Sequence, residues 1–262
     1  MKKFLLLLVL TISATAHAQQ TESAAALFQQ KNESQPLSST ACQSTFTSGS
    51  GQTYLSFCVT QNGNLGSFYS PSNYRQLYPG AEGYAICDWS NNYSYRDFGT
   101  YGDSGNWLAS TIVQPNGPNT FPLTIKRTTS DGIFTLTQVF SRNTTTPSVK
   151  ITMTLRNNSG VGRTAYFERF ADIDAWGISF NEFDGGTSSM WGYQSGGNGL
   201  MMRESWPHSM GTWVLSGPPV DPCSFQHEGL PYLGDGTVLS TWAPYLAAQS
   251  SATVSVEYRP IG

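Results

Sequence analysis

The sequence predicts an all-β protein: one large antiparallel β-sandwich behind an export signal. Three observations carry that prediction. Apolar residues recur at every second position in several segments, turn-forming residues separate those segments, and no run of twelve residues beyond position 18 shows the period of an amphipathic helix. The chain has 262 residues, enough to bury a substantial core. Charged residues make up only 12% and aromatics 13%, which excludes a charged disordered chain. A formal charge of -3 and the lack of any Lys/Arg block exclude a nucleic-acid partner.

The elements follow in chain order. Lys2 and Lys3 precede an apolar run from Phe4 to Ile12, broken only by Thr11, and Ala16-His17-Ala18 fits a small-x-small cleavage site. Residues 1–18 are therefore expected to be a secretory signal peptide, cut before Gln19. The run is too short to span a bilayer in the mature chain, and no later stretch has 18 consecutive apolar residues. Residues 19–40, rich in Gln, Ser and Ala, read as a flexible leader with one helical turn near Ala24–Gln30. Residues 41–262 read as a single sandwich domain, extracellular or periplasmic. Its four cysteines, Cys42, Cys58, Cys87 and Cys223, are an even set in an exported chain and predict two disulfides. Three pairings are open. Cys42–Cys58 with Cys87–Cys223 is favoured, because the first pair brackets the turn Gly49-Ser50-Gly51.

Val149, Ile151, Met153 and Leu155 alternate with polar residues, as do Ala252, Val254, Val256 and Tyr258. That is the pattern of strands with one face buried. Ser130-Asp131-Gly132 joins 121–128 to 133–141 as a hairpin, and Asn157-Asn158-Ser159-Gly160 is expected to turn the chain before a strand at 163–174. About a dozen strands are expected in all. The stretch Gly132 to Asp174, with its order of strand, strand, Asn-Ser-Gly turn and strand, resembles the meander of galactose-mutarotase-like super-sandwich domains. That resemblance implies the fold of carbohydrate-active proteins. The family's catalytic His and Glu have no counterpart here, so it assigns no catalytic residue.

Several constellations invite a chemical reading. Gly102-Asp103-Ser104-Gly105 resembles the nucleophile segment of trypsin-like serine proteases, but the only His upstream is His17, within the signal. A serine without a base is a weak nucleophile, so a hairpin tip is expected. On a strand over 166–174, Glu168, Phe170, Asp172 and Asp174 share one face, opposite Phe167, Arg169, Ala171 and Ile173. Neighbouring carboxylates there stand ~6–7 Å apart and repel, so solvent, arginines or a cation must compensate. Asn181, Glu182 and Asp184 follow, ahead of Gly185-Gly186, in an expected loop. Asp172, Asp174, Asn181 and Asp184 are oxygen donors suited to Ca²⁺, and Glu168, Asp172, Asp174 and Glu182 are the catalytic candidates if two of them flank a glycosidic bond.

Trp176, Trp191, Tyr193, Trp206 and Trp213 crowd a Gly-rich, loop-like window. Of these, Trp176, Trp191, Tyr193 and Trp206 are the candidate sugar-stacking residues, since aromatic faces pack on the apolar faces of sugar rings. Apart from His17, the histidines are His208 and His227, near Glu204 and Glu228 in a Pro-rich stretch without a short metal signature. Asn32, Asn92, Asn143 and Asn157 lie in Asn-x-Ser/Thr sequons. These readings favour a non-enzymatic secreted module that binds glycan, with no cofactor expected and Ca²⁺ the one cation the acids could take. The alternatives are a carbohydrate-active enzyme using the acids of 168–184 and a structural envelope or matrix protein.

Overall fold

The computed structural model describes residues 41–143, 146–205, 207–219, 221–224 and 227–262. The signal peptide and leader expected over 1–40 lie outside these residues, as does Trp206. Seventeen strands are present among the described residues, more than the dozen expected. A three-stranded antiparallel sheet comes first: β1 (Cys42–Ser48), β2 (Leu55–Thr60) and β3 (Leu65–Tyr69). The Cys42–Cys58 disulfide closes its first hairpin.

The remaining strands form two antiparallel layers. One is ordered β5 (Tyr93–Asp97), β4 (Leu77–Asp88), β10 (Arg163–Ile173), β15 (Tyr232–Trp242) and β14 (Ser209–Ser216), with β16 (Tyr245–Leu246) beside the start of β10. The other runs from β11 (Phe180–Gly186) through β12 (Ser189–Tyr193), β13 (Gly199–Glu204), β17 (Ser251–Ile261), β9 (Ser148–Asn157), β8 (Phe134–Asn143) and β7 (Leu123–Thr128) to β6 (Thr111–Val113). β15 belongs to both layers. Tyr232 to Asp235 pair with β11, whereas Thr237 to Trp242 pair with β10. Gly236 stands at the changeover, where a Cβ would come within 2.6 Å of the Phe183 ring.

The alternating segments bury their apolar faces as expected. Phe134, Leu136, Ile151, Met153, Val254 and Val256 of one layer share a single core with Ile86, Phe167, Ile173, Val238 and Trp242 of the other. Each buried Phe, Ile or Leu contributes about 1.5–3 kcal/mol relative to exposure. Two expectations are corrected. The turn 157–160 does not make a hairpin of its flanking strands: β9 pairs with β8 and β17, while β10 pairs with β4 and β15. The Asn157 side chain guides this crossover, donating to the carbonyls of Val161, Leu246 and Ala247. Residues 180–186 are strand β11 rather than loop, because Asn181 and Phe183 point inward while Glu182 and Asp184 face solvent. Trp191, Tyr193 and Trp213 likewise sit on strands, β12 and β14.

A buried polar network runs through the core. The Arg169 guanidinium donates to Glu82 through Nε (2.5 Å) and Nη2 (2.9 Å), to Gln138 Oε1 (2.5 Å) and to the Gly63 carbonyl (2.9 Å). Glu82 also accepts from the Tyr258 hydroxyl (2.5 Å) and the Leu65 amide (2.6 Å). The pair thereby ties β4 and β10 to the small sheet and to β17. A second ion pair, Arg127 with Asp97 (2.6 Å) and Asp103 (3.2 Å), locks the Gly-Asp-Ser-Gly segment. The Ser104 hydroxyl accepts from the Arg96 amide at 2.9 Å and has the Arg96 carbonyl (3.1 Å) and Asn106 Oδ1 as acceptors, so it is held within its own turn.

Candidate functional site

β10 presents Glu168, Phe170 and Asp172 on the face away from the main core, and Asp174 follows at its end. Small apolar residues cover the middle of that face: Phe170 packs with Ala85, Phe98, Leu215 and Leu239, flanked by Tyr101 and Trp213. Glu168 is 2% exposed there, and neither carboxylate oxygen has a hydrogen-bond partner. Burial pushes its pKa up to about 8, with Asp221 adding to the shift and Arg96 opposing it.

The end of β10 is different. Asp172, Asp174 and Asp235 bring carboxylate oxygens within 4.8 Å of one another. Asp235 comes from β15, at the position opposite Phe180. Asp172 accepts a hydrogen bond from the Tyr101 hydroxyl, and Asp174 pairs with Arg75 at 3.3 Å. The other oxygen of each, Oδ1, is buried without a partner. Burial raises the Asp172 carboxyl to about 7, the Tyr101 bond opposes, and Asp174 and Asp235 add to the rise. Asp174 also moves up, mainly through burial, with Arg75 pulling it back. Three acids thus share a small volume with one guanidinium.

Two aromatic pairs border this cluster. Tyr74 stacks on Trp176 with ring centroids 4.5 Å apart, and Tyr78 lies parallel to Tyr101 at 6.3 Å. Tyr74, Tyr78 and Trp176 are exposed large aromatics. Trp176 adopts φ 61°, a left-handed conformation unusual for a bulky residue. The turn that holds it is fastened by Asn181, whose amide donates to the carbonyls of Ile173, Ile178 and Ser179 and whose oxygen accepts from the Ala175 amide. The Gly177 amide in turn donates to the Arg75 carbonyl at 3.0 Å.

The fold therefore brings together three of the residues singled out by sequence, Asp172, Asp174 and Trp176. It does not bring the others. Asn181 spends its side chain on the turn, and its oxygen accepts from the Ala175 amide and from Gln194 Nε2. Glu182 and Asp184 lie across from Tyr193 and Trp191 on the outer surface of the other layer. Asp235 stands with Asp172 and Asp174 as the third acid, and these three oxygens are the hard donor set available to a cation. His227 stacks on Trp213 at 4.2 Å, and Glu228 accepts from Ser216 at 2.8 Å. Among the described residues, no metal-ligand grouping includes a histidine. Sequence reasoning missed Tyr74, Arg75, Tyr78, Tyr101 and Asp235. Only Asp235 carried a local signal, an acid between two glycines in an otherwise uncharged strand.

No family model matches the chain, and no curated protein matches it in sequence. Solved structures do match in shape. A bacterial glucoamylase complexed with acarbose superposes with a TM-score of 0.55 at 9% identity, covering 86% of this chain and 33% of the glucoamylase. A putative aldose 1-epimerase from Escherichia coli K12 gives 0.52 at 11% identity, covering 83% of this chain and 98% of the epimerase. The chain has their fold. Heparan sulfate lyase HepC from Pedobacter heparinus gives 0.51 at 10% identity, over 92% of this chain and 41% of the lyase. The chain thus spans a third to two fifths of the two larger enzymes and nearly the whole epimerase. At such identities the likeness is one of fold, and it agrees with the super-sandwich layout read from 132–174.

Proposed function

We propose that this chain is an exported carbohydrate-binding protein, and that its sugar site is the acid and aromatic cluster at the end of β10. The observation that carries this reading is the open Tyr74–Trp176 stack beside carboxylate oxygens that lack partners. An aromatic face takes the apolar face of a pyranose, while carboxylates accept its hydroxyls. The two disulfides suit folding in an oxidising compartment, where such a protein would meet glycans.

Affinity electrophoresis through a panel of neutral polysaccharides tests this directly. Retardation by at least one is expected, and Trp176→Ala and Asp174→Asn should each weaken binding about tenfold or more with unchanged circular dichroism. Repeating the assay with calcium and with a chelator separates two uses of the acids. A calcium requirement that Asp235→Asn abolishes makes them cation ligands, and indifference to calcium makes them direct acceptors. No retardation by any polysaccharide would remove the proposal.

One observation favours a second reading, hydrolysis. Burial raises the Asp172 carboxyl to about 7, and Asp174 beside it, also raised by burial, faces the Arg75 guanidinium at 3.3 Å; unequal surroundings of this kind part acid from nucleophile or base in glycosidases. Under that reading the wild type releases aryl alcohol from chromogenic glycosides and Asp172→Asn loses at least about a hundredfold of the rate. Under the binding reading neither protein turns over substrate.

A further inference from the structure

A second polar site lies in the other layer. A cavity of about 390 Å³ is lined by Lys150, Ser188, Arg203, Glu204, Ser205, Ser255 and Glu257. It does not share a residue with the acid and aromatic cluster of β10. The pairing register sets its charge pattern. Glu257 of β17 stands directly between Lys150 of β9 and Arg203 of β13. One strand spacing separates each neighbour, so the two cations flank the glutamate about 10 Å apart at their backbones.

Both cations are exposed, and among the described residues neither side chain has a hydrogen-bond or ion-pair partner. Glu257 is not fully free: its Oε1 accepts the Ser148 hydroxyl at 2.5 Å. Glu204 borders the cavity at 7% exposure, with Oε1 bonded by Ser209 and Oε2 without a partner. Burial raises its pKa to about 7, with the Ser209 bond opposing, so much of its negative charge is lost at neutral pH. The lining thus offers two unspent cationic donors, one acid already engaged by Ser148, and three serines. Among the described residues, no aromatic ring lines it.

We propose that this cavity binds an anionic saccharide unit, one carrying a carboxylate or sulfate beside free hydroxyls. Arg203 and Lys150 take the anionic group, Arg203 through its planar fork. The serine hydroxyls and Glu257 take the sugar hydroxyls, each of which can donate one hydrogen bond and accept two. The two unspent cations distinguish this site from the Tyr74–Trp176 platform, which suits the apolar face of a neutral ring. The site stands whether or not the first one binds sugar.

Titration calorimetry decides the matter with three probes of equal length: an oligoglucuronate, a sulfated oligosaccharide and an uncharged oligosaccharide. Wild type, Lys150→Gln/Arg203→Gln and Trp176→Ala are compared at low and moderate salt. The expected result is that one or both anionic probes bind, weaken with salt, and lose about tenfold or more in the double variant. The uronate and sulfate arms tell which anionic group is preferred. Trp176→Ala should retain anionic binding, while the double variant should leave the uncharged probe unaffected. Failure of both anionic probes to bind the wild type overturns the proposal. So does anionic binding that survives in the double variant, or that disappears in Trp176→Ala, since either would place the anion elsewhere. Loss of uncharged-probe binding in Trp176→Ala alone reports on the first site and leaves this one standing.

Discussion

Replacing Arg169 by Met is expected to cost about 3–5 kcal/mol, because it leaves Glu82 charged or orphaned in the core. The guanidinium is fully buried and meets Glu82 through two nitrogens. Both ions gave up water when the layers closed, so the energy at stake in a single deletion is the desolvation of the survivor. Against a total stability of about 5–15 kcal/mol, that loss is enough to leave a large unfolded fraction at 37 °C. The double replacement Glu82→Gln/Arg169→Met should recover much of it, since no charge then remains unpaired. Urea unfolding of the three variants measures both effects. A single variant within about 1 kcal/mol of wild type would mean that water reaches Glu82 and that the core is open there.

The second large effect is on pH. Glu168 has a folded pKa of about 8, against an ordinary value of 4.5 for glutamate. Its folded form therefore binds the proton more tightly than the unfolded chain does. The resulting stability is complete below about pH 4.5 and is lost as pH rises toward 8, at about 1.4 kcal/mol per pH unit. Asp172 and Glu204, both raised to about 7, act with the same sign over a narrower window. Glu168→Gln keeps the shape of the neutral acid and cannot ionise. It should melt like wild type near pH 5 and several degrees higher at pH 9. Parallel melting curves for the two proteins across that range would show that Glu168 finds a proton donor or a solvent path.

Local pattern exposed the sandwich and three of the eight residues of the site. Alternation in 149–155 and 252–258 reports a buried face because a strand's period is two, whatever it pairs with. The same rule placed Glu168, Asp172 and Arg169 on their opposite sides of β10. Pairing itself is not local. The sequence around 157–160 reads as a hairpin turn, yet Asn157 diverts the chain into the other layer through three backbone carbonyls that include two near 246. The loop expected at 181–186 failed for a related reason. Acids and glycines signal a turn, but on a strand with one solvated face they are ordinary outward residues. Asp235 reached the site from some sixty positions downstream, and Tyr74, Arg75 and Tyr101 from about a hundred or seventy upstream. No periodicity spans such distances.

The division of β15 between the layers has a consequence for engineering. A designer who lifts one layer as a self-standing module must either cut that strand at Gly236 or carry half of it into solvent as an unpaired edge. The same cut would part Asp235 from Asp172 and Asp174. The two layers are therefore indivisible in practice: neither can be lifted out with all its strands paired.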